Sequence, residues 1–373
     1  MKLNVLSSCL LVSASVLLSA CASTVTPKAT SQTNSAASST SPKTGWQVEN
    51  SSLSAQPETF IQQVSERYNI PANYVRDMLN QAQINERVIS LMSPTTTARV
   101  KRHWPTYRGR FVEPIRIRKG TEFWNANRTE LAQAERQYGV PAAVIASIIG
   151  VETVYGEQLG SFKVLDALYS LGFHHPDSSR PEKSQMFRNQ LAALIELDHK
   201  GLFDGKNALG SFAGASGLPQ FMPISILHYA VDADKSGKID LRNSRKDAIY
   251  SVANFLVKHG WQDNTPIFAP VSLPANPARL VDGGLDASTS WSTLQKQGAT
   301  TTAQGAAWQQ GQGIGVIDLK DDVRGQHQYR TATKNFFAIT KYNRSYFYAT
   351  SVADLARELA QIQRQQGHQV TLP

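Results

Sequence analysis

The chain has 373 residues, 41% of them hydrophobic, with 38 Lys and Arg against 29 Asp and Glu, a net charge of +9 and a pI near 9.5. That length and apolar content suffice for a buried core and exclude a wholly disordered chain. The two cysteines, Cys9 and Cys21, both lie near the N-terminus, so the rest of the chain has no thiol for a disulfide, a nucleophile or a zinc site.

Residues Leu3 to Ala20 form an apolar run behind Lys2, the shape of a secretory signal peptide. A membrane anchor is the weaker alternative, since the run is marginal in length and a polar tail comes directly after it. Leu18-Ser-Ala-Cys21 resembles the lipobox of bacterial lipoproteins. The resemblance implies cleavage before Cys21 and lipidation of its thiol and new N-terminus. Ala22 and Ser23, with no aspartate beside the cysteine, imply sorting to the outer membrane. From Ala22 to about Gln56 the chain is rich in Ser, Thr, Ala and Pro, a flexible tether with too little apolar surface to order itself. A basic pI would suggest nucleic acid in a cytoplasmic protein. Export leaves anionic envelope polymers or membrane surfaces instead.

Apolar residues recurring at three and four predict helices over 58–68, 71–90, 121–138, 141–155, 183–199 and 245–259, with Pro71 and Pro141 near two of the starts. Arg99, Lys101, Arg102, Arg108, Arg110, Arg116, Arg118 and Lys119 crowd one segment with only Glu113 opposing them. They form either an attractive field for an acidic polymer or a solvated face. From about 265 to 335 the texture changes to Pro- and Gly-rich stretches with short apolar runs, Gly315-Val-Ile-Asp-Leu319 and Asn335-Phe-Phe-Ala-Ile-Thr340, which predict a small β element. Helical texture returns from Val352 to Gln365. The implied fold class is mainly α, an α-rich core carrying a minor β subdomain.

Three stretches carry candidate chemistry. In Pro141-Ala-Ala-Val-Ile-Ala-Ser-Ile-Ile-Gly-Val-Glu-Thr-Val-Tyr-Gly156, the residues Val144, Ile148 and Glu152 fall at i, i+4 and i+8, which places a carboxylate on an apolar helix stripe. Such a group is costly to ionise, and its pKa rises toward the range of a general acid. The alternative is a structural Glu hydrogen-bonded near a helix end. Ser211-Phe-Ala-Gly-Ala-Ser-Gly-Leu-Pro-Gln-Phe-Met-Pro223 is a Gly-rich loop in which Ser211 and Gln220 can bond hydroxyl or amide groups and Phe221 offers a face to a sugar. By itself it is as often a structural turn. In Asp232-Ala-Asp-Lys-Ser-Gly-Lys-Ile-Asp240, the oxygens of Asp232, Asp234 and Ser236 stand at loop positions 1, 3 and 5 with Gly237 at 6, as in an EF-hand, and Lys238 supplies a backbone carbonyl. Asn243 occupies position 12 in place of the bidentate Glu, so an Asx-rich turn without metal is the alternative. His174 and His175 have nothing nearby to complete a metal ligand set.

Taken together, Ile149-Gly-Val-Glu-Thr, the run from Phe212 to Pro223, Tyr229-Ala-Val-Asp232, Ser251-Val-Ala-Asn-Phe-Leu-Val-Lys-His-Gly-Trp261 and Ile339-Thr-Lys-Tyr-Asn-Arg-Ser345, in this order over residues 57–365, resemble the membrane-bound lytic murein transglycosylase B family. The resemblance implies a lysozyme-like helical core with an additional helical domain and a small β subdomain. Its boundaries are a signal peptide at 1–20, the lipidated cysteine and linker at 21–56, an N-terminal helical region at 57–130, the catalytic core at 131–264, the β subdomain at 265–335, and a segment at 336–373 returning to the core. It implies cleavage of the MurNAc–GlcNAc β-1,4 bond of peptidoglycan with a 1,6-anhydro-MurNAc end, Glu152 acting as acid and then base. The same-fold alternative is a muramidase that hydrolyses the bond, and a glycan-binding lipoprotein without activity is the alternative from another class.

The substrate-binding residues carried over are Ser211, Gln220, Phe221, Tyr107, Tyr342, Asn343 and Tyr348, with Phe255 where the family commonly has a tyrosine. The segment His174-His-Pro-Asp-Ser-Ser-Arg180 is longer than the family's usual turn, which puts stem-peptide recognition there in doubt. The family's modified calcium loop is closed by a later carboxylate, here Asp247, so the implied ligands are Asp232, Asp234, Ser236, Lys238 and Asp247. The implied Ca²⁺ is structural, and the chemistry needs no cofactor. The implied partners are glycan strands and the outer membrane through the lipid, with peptidoglycan synthases as candidate protein partners.

Overall fold

Prolines and small polar caps open most of the helices. α1 (Pro57–Tyr68) starts on Pro57 and ends at Asn69, whose left-handed backbone (φ 53°) stops it. α2 (Ala72–Asn80) begins after Pro71, and α3 (Glu86–Met92) is capped by the Asn85 side chain, which accepts from the Val88 N–H. The computed structural model describes residues 52–94 and 101–373. The signal peptide, the lipobox with Cys21, the tether as far as residue 51 and Arg99 lie outside the described residues. Among the described residues no helix is long and apolar enough to cross a membrane.

The single helix expected over 71–90 is therefore two. The chain breaks between them because Gln83 N–H bonds the Asp166 carboxylate and Asn85 N–H bonds the Ser170 hydroxyl, long-range partners that outcompete helical continuation. The helix expected over 121–138 is likewise two, α5 (Pro114–Ala126) and α6 (Arg128–Tyr138), with Asn127 out of helical geometry between them. Before them comes the short α4 (Trp104–Arg108).

α7 (Ala142–Thr153) runs through the centre, packed by α5 and α6. The two-residue strand β1 (Phe162–Lys163) leads into α8 (Val164–Phe173), which packs against α9 (Pro181–His199). β1 pairs antiparallel with β2 (Leu209–Gly210), and α10 (Pro223–Tyr229) and α11 (Arg245–Lys258) complete this part of the core.

The β unit holds β3 (Thr289–Ser290), β4 (Gln312–Asp321) and β5 (Gln326–Thr333) in antiparallel order, with α12 (Trp291–Lys296) beside them. Register places Gly315 opposite Ala332 and Ile317 opposite Arg330. Leu280, Leu294, Trp308, Ile314 and Val316 give it a small core of its own. The apolar run 315–319 is thus a strand, as expected. The run Asn335–Thr340 is not: it lies in a helix, α13 (Lys334–Tyr342), capped by the Thr333 side chain and buried on both faces, so its apolar residues show no period.

The last helix, α14 (Tyr346–Gln365), starts six residues earlier than the texture suggested, with Ser345 as its cap. It packs along α7, and Asp354 pins it there. This carboxylate, 2% exposed, accepts from Arg108 Nε at 2.6 Å and Arg330 Nη1 at 2.7 Å, which ties α14 to α4 and β5 at once. Burial alone would raise its pKa, yet the two guanidinium groups leave it below the usual carboxylate range. Residues 54–373 cluster as one unit, and the fold is mainly α with small sheets, as expected.

Candidate active site

The helix that carries Glu152 is not amphipathic. From Ala142 to Thr153 every residue except Glu152 is buried, so no single apolar stripe singles the carboxylate out. That corrects the expectation from spacing: α7 is a central helix covered on all sides, and Glu152 is the one position where its last turn emerges.

The backbone just beyond Glu152 is strained. Val154 and Tyr155 both adopt left-handed geometry (φ 51° and 59°) before Gly156 (φ 105°). Bulky and β-branched residues rarely take this conformation, and two in succession persist only where the surroundings hold them. Those surroundings are visible. The Thr153 hydroxyl lies 3.1 Å from the Ile149 carbonyl and 3.2 Å from that of Leu218, tying the turn to the Gly-rich loop. The Tyr155 ring fills a notch between α5 and α7 that exists only because Gly120 and Gly150 lack side chains: a Cβ on either would stand 2.3 Å from the Tyr155 oxygen. Arg116, itself buried, donates from Nε to the Gly150 carbonyl at 2.8 Å, and its charge suits a helix C-terminus.

Glu152 is opposed across the site by α14. The Tyr348 hydroxyl, on a residue 3% exposed, donates to Glu152 Oε1 at 2.6 Å. Burial pushes the Glu152 carboxyl up from 4.5 to about 7, and the Tyr348 hydrogen bond pulls the other way and loses. Tyr348 stacks on Tyr342 with ring centroids 6.3 Å apart and planes 16° apart. Tyr342 in turn donates to the Pro219 carbonyl, at the Gly-rich loop.

Burial pushes Tyr107 up to about 12, helped by the charge of Glu152, and the same two causes act on Tyr342 and Tyr348. All three expected tyrosines therefore sit within the field of one carboxylate. Tyr107 is held by Phe111 and Phe347, at 5.2 and 5.4 Å. Asn343 stands at the end of α13 as its C-cap residue and is half-buried.

The Gly-rich loop is both turn and wall. Ser211 Oγ accepts from the Ala215 N–H at 3.1 Å, and its own O–H has no acceptor among the described residues. Gln220, with φ 50°, donates from Nε2 to the Gly217 carbonyl at 2.8 Å. Phe221 and Phe255 are 2% and 5% exposed and pack against each other at 5.6 Å and against Tyr342 at 5.7 and 4.8 Å. The expectation that Phe221 offers a face to a sugar is thereby corrected: both rings form the layer beneath the site and prop Tyr342.

His259, which sequence reasoning passed over, stacks on Phe255 at 4.0 Å, donates from Nδ1 to the Phe255 carbonyl at 2.7 Å, and is held by burial below its ordinary pKa. Arg116 and Asp354 were also missed as supports. Only Arg116 had a signal, as a base inside the basic run. In the 174–180 segment Asp177 accepts from Ser179 within it and from Lys183 on α9.

The acidic loop was also found by sequence. Asp232, Asp234 and Asp247 bring carboxylate oxygens within 4.8 Å of one another. Two oxygens that share one Ca²⁺ at 2.3–2.6 Å are at most about 5 Å apart, so the spacing fits such an ion. The Ser236 hydroxyl lies 3.0 Å from the Lys238 carbonyl and 3.5 Å from Asp232 Oδ1, which brings the remaining expected donors to the same place. Asp247 is fully buried and accepts from the N–H groups of Ala233, Asp234 and Asp240. Burial still pushes its carboxyl up against those three donors, so a nearby cation would relieve it.

Comparison with known proteins agrees with this architecture. Residues 52–357 match the family described as "Transglycosylase SLT domain". Membrane-bound lytic murein transglycosylase B of Escherichia coli is 34% identical over 310 residues, which cover 81% of each chain. The soluble lytic transglycosylase SltB1 of Pseudomonas aeruginosa superposes with a TM-score of 0.72 at 34% identity, over 83% of this chain and 99% of that one. The Escherichia coli lytic transglycosylase Slt35, solved in complex with calcium, superposes with a TM-score of 0.69 at 32% identity, over 83% of this chain and 94% of that one.

Proposed function

The chain belongs to the transglycosylase SLT domain family and is a lytic transglycosylase acting on peptidoglycan, and we propose that it cleaves the MurNAc–GlcNAc β-1,4 bond with one carboxylate, Glu152, serving as acid and then as base. The observation that carries this is the setting of Glu152, which stands in the last turn of a central buried helix and accepts from the Tyr348 hydroxyl at 2.6 Å, where burial pushes its carboxyl up to about 7. A retaining glycosidase needs a second carboxylate about 5 Å away, whose charge would act strongly on the first. Among the described residues none acts on Glu152, which favours a reaction completed by the substrate.

The Tyr348 hydroxyl donates to Oε1, so in the acid form the proton belongs on Oε2. Oε2 passes that proton to the glycosidic oxygen as the bond to the anomeric carbon breaks. The N-acetyl oxygen of the MurNAc ring stabilises the positive centre that develops there. The C6 hydroxyl of the same ring then attacks the anomeric carbon while Glu152, now ionised and held by Tyr348, takes its proton. The products are a free GlcNAc 4-hydroxyl and a 1,6-anhydro-MurNAc end, with no water consumed. The aromatic rings of Tyr107, Phe347 and Tyr342, the last propped from beneath by Phe221, keep water away from the anomeric carbon. Ser211 and Gln220 supply polar contacts to the strand.

Asp232, Asp234 and Asp247, with the Ser236 hydroxyl and the Lys238 carbonyl, would hold a Ca²⁺ ion. It would supply no chemistry, only counter-charge fixing the 232–247 loop to the start of α11. The lipobox supports lipidation of Cys21 and attachment to the periplasmic face of the outer membrane, and the Escherichia coli relative is membrane-bound by name.

The test is product analysis: digestion of purified sacculi followed by mass spectrometry. Anhydro ends, one water lighter than reducing ends, are the expected result. Reducing ends alone would establish a muramidase instead.

A further inference from the structure

Away from Glu152, the β unit and the loop after α11 enclose a cleft of about 350 Å³, lined by Gln262, Asp263, Thr265, Trp308, Gln310 and Lys334 among others. Its floor is built rather than accidental. The fully buried Asn335 accepts from the Gln262 N–H at 2.7 Å and donates to the carbonyls of Gln262 and Thr265 at 2.8 and 2.6 Å. The Thr333 hydroxyl adds a bond to the Pro266 carbonyl at 2.6 Å. Together they clamp the 262–266 loop to the N-terminal end of α13.

On that floor lies Thr265, 8% exposed, with a buried hydroxyl that has no hydrogen-bond partner. One wall is Trp308, fixed edge-on against Trp291 at 5.5 Å. On the rim stand two opposite charges, Asp263 and Lys334, both exposed. Neither forms an ion pair among the described residues, with each other or with any other group. The positive end of α13 reinforces Lys334.

Opposite charges that line one small cleft without pairing, with the amides of Gln262 and Gln310 beside them, complement a ligand that carries both charges. We infer that this cleft binds a zwitterionic amino-acid group, its carboxylate at Lys334, its ammonium at Asp263 and its aliphatic carbons against Trp308. The volume lies at the low end of small-ligand pockets, about 300–1,000 Å³, which suits one or two amino-acid residues rather than a glycan chain. Such a group could come from the peptide stems of the polymer or from free amino acids, and only this choice of source rests on the peptidoglycan reading.

The probe is meso-diaminopimelate, titrated calorimetrically into the full chain in detergent, with its N-acetylated and amidated derivatives as controls. Expected is millimolar binding that either blocked form abolishes. Lys334→Gln and Asp263→Asn should each weaken it about three- to tenfold, as for loss of one partly exposed charged contact. Both side chains are exposed, so the fold should survive. Stem-bearing and stem-stripped glycan strands then distinguish the sources. A KM raised in both variants on stem-bearing strands alone identifies the stem, whereas lost binding with KM unchanged on both substrates identifies free amino acids. Absence of binding at tens of millimolar, or equal affinity in wild type and both variants, overturns the inference. Binding needs no turnover and is read equally in Glu152→Gln, so its failure and a failure of the catalytic reading are separable.

Discussion

Replacing Tyr348 by Phe removes one oxygen and with it the hydrogen bond at 2.6 Å to Glu152 Oε1. The ring remains stacked on Tyr342 and buried, at 3% exposure. A hydrogen bond to a charged group is worth about 1.5–3 kcal/mol, which corresponds to about one to two pH units in the carboxyl pKa. The bond favours the carboxylate, so its loss raises the pKa of Glu152 above its present value near 7. Activity that requires the protonated acid should then extend to higher pH, its alkaline limb moving up by about one unit or more. The plateau rate should nevertheless fall, by about tenfold, because the carboxylate formed on proton donation loses part of its stabilisation, about 1.4 kcal/mol in the transition state. The assay is the initial rate on soluble glycan chains from pH 4 to 9 at fixed ionic strength, with circular dichroism to show that the variant is folded. A limb that stays in place or moves down would refute the assignment of Tyr348 as donor to a buried acid.

Glu152→Gln should reduce clearance of sacculi to well under a tenth. It should also stabilise the protein, because a carboxyl lifted from 4.5 to about 7 on folding costs nothing below pH 4.5 and about 3 kcal/mol above pH 7. Calorimetry should therefore show a rise in Tm that is large at pH 8 and near zero at pH 4, and an equal rise at both would contradict the burial argument. Gly150→Ala should destabilise by about 1–3 kcal/mol in urea, since its Cβ would stand 2.3 Å from the Tyr155 oxygen and overpacking outweighs the better helix propensity of Ala. Excess Ca²⁺ added after chelation should raise Tm by mass action, and Asp234→Ala should abolish that rise while leaving turnover intact. Cys21→Ala should move the protein from the membrane to the soluble fraction, whereas firm membrane retention without lipid would mean that residues 3–20 persist as an anchor.

Much of the site was legible because its parts are short in sequence. Glu152 stood out as a charge amid apolar residues, and the acidic loop and the Gly-rich loop each carry their pattern within about a dozen positions. Helix boundaries were less so. The break at 81–85 depends on Asp166 and Ser170, more than 80 residues away. Asn335–Thr340 read as a strand because a helix buried on both faces has no period to detect.

By itself the sequence determined that a carboxylate would stand amid buried apolar residues, that helices would dominate, and that Asp232 and Asp234 would share one loop, since each is set by composition or spacing within a local stretch. Only the tertiary structure decided how far that carboxylate is lifted and what faces it. Tyr348 lies 196 residues from Glu152, and their meeting depends on α14 crossing α7 with Asp354 locking it to Arg108 and Arg330. It also decided that Phe221 supports the site from beneath rather than lining it, and that Gly120 and Gly150 make room for Tyr155. A pKa, a hydrogen bond and a notch are properties of what surrounds a residue, and in this protein most of those surroundings come from parts of the chain that are remote in sequence.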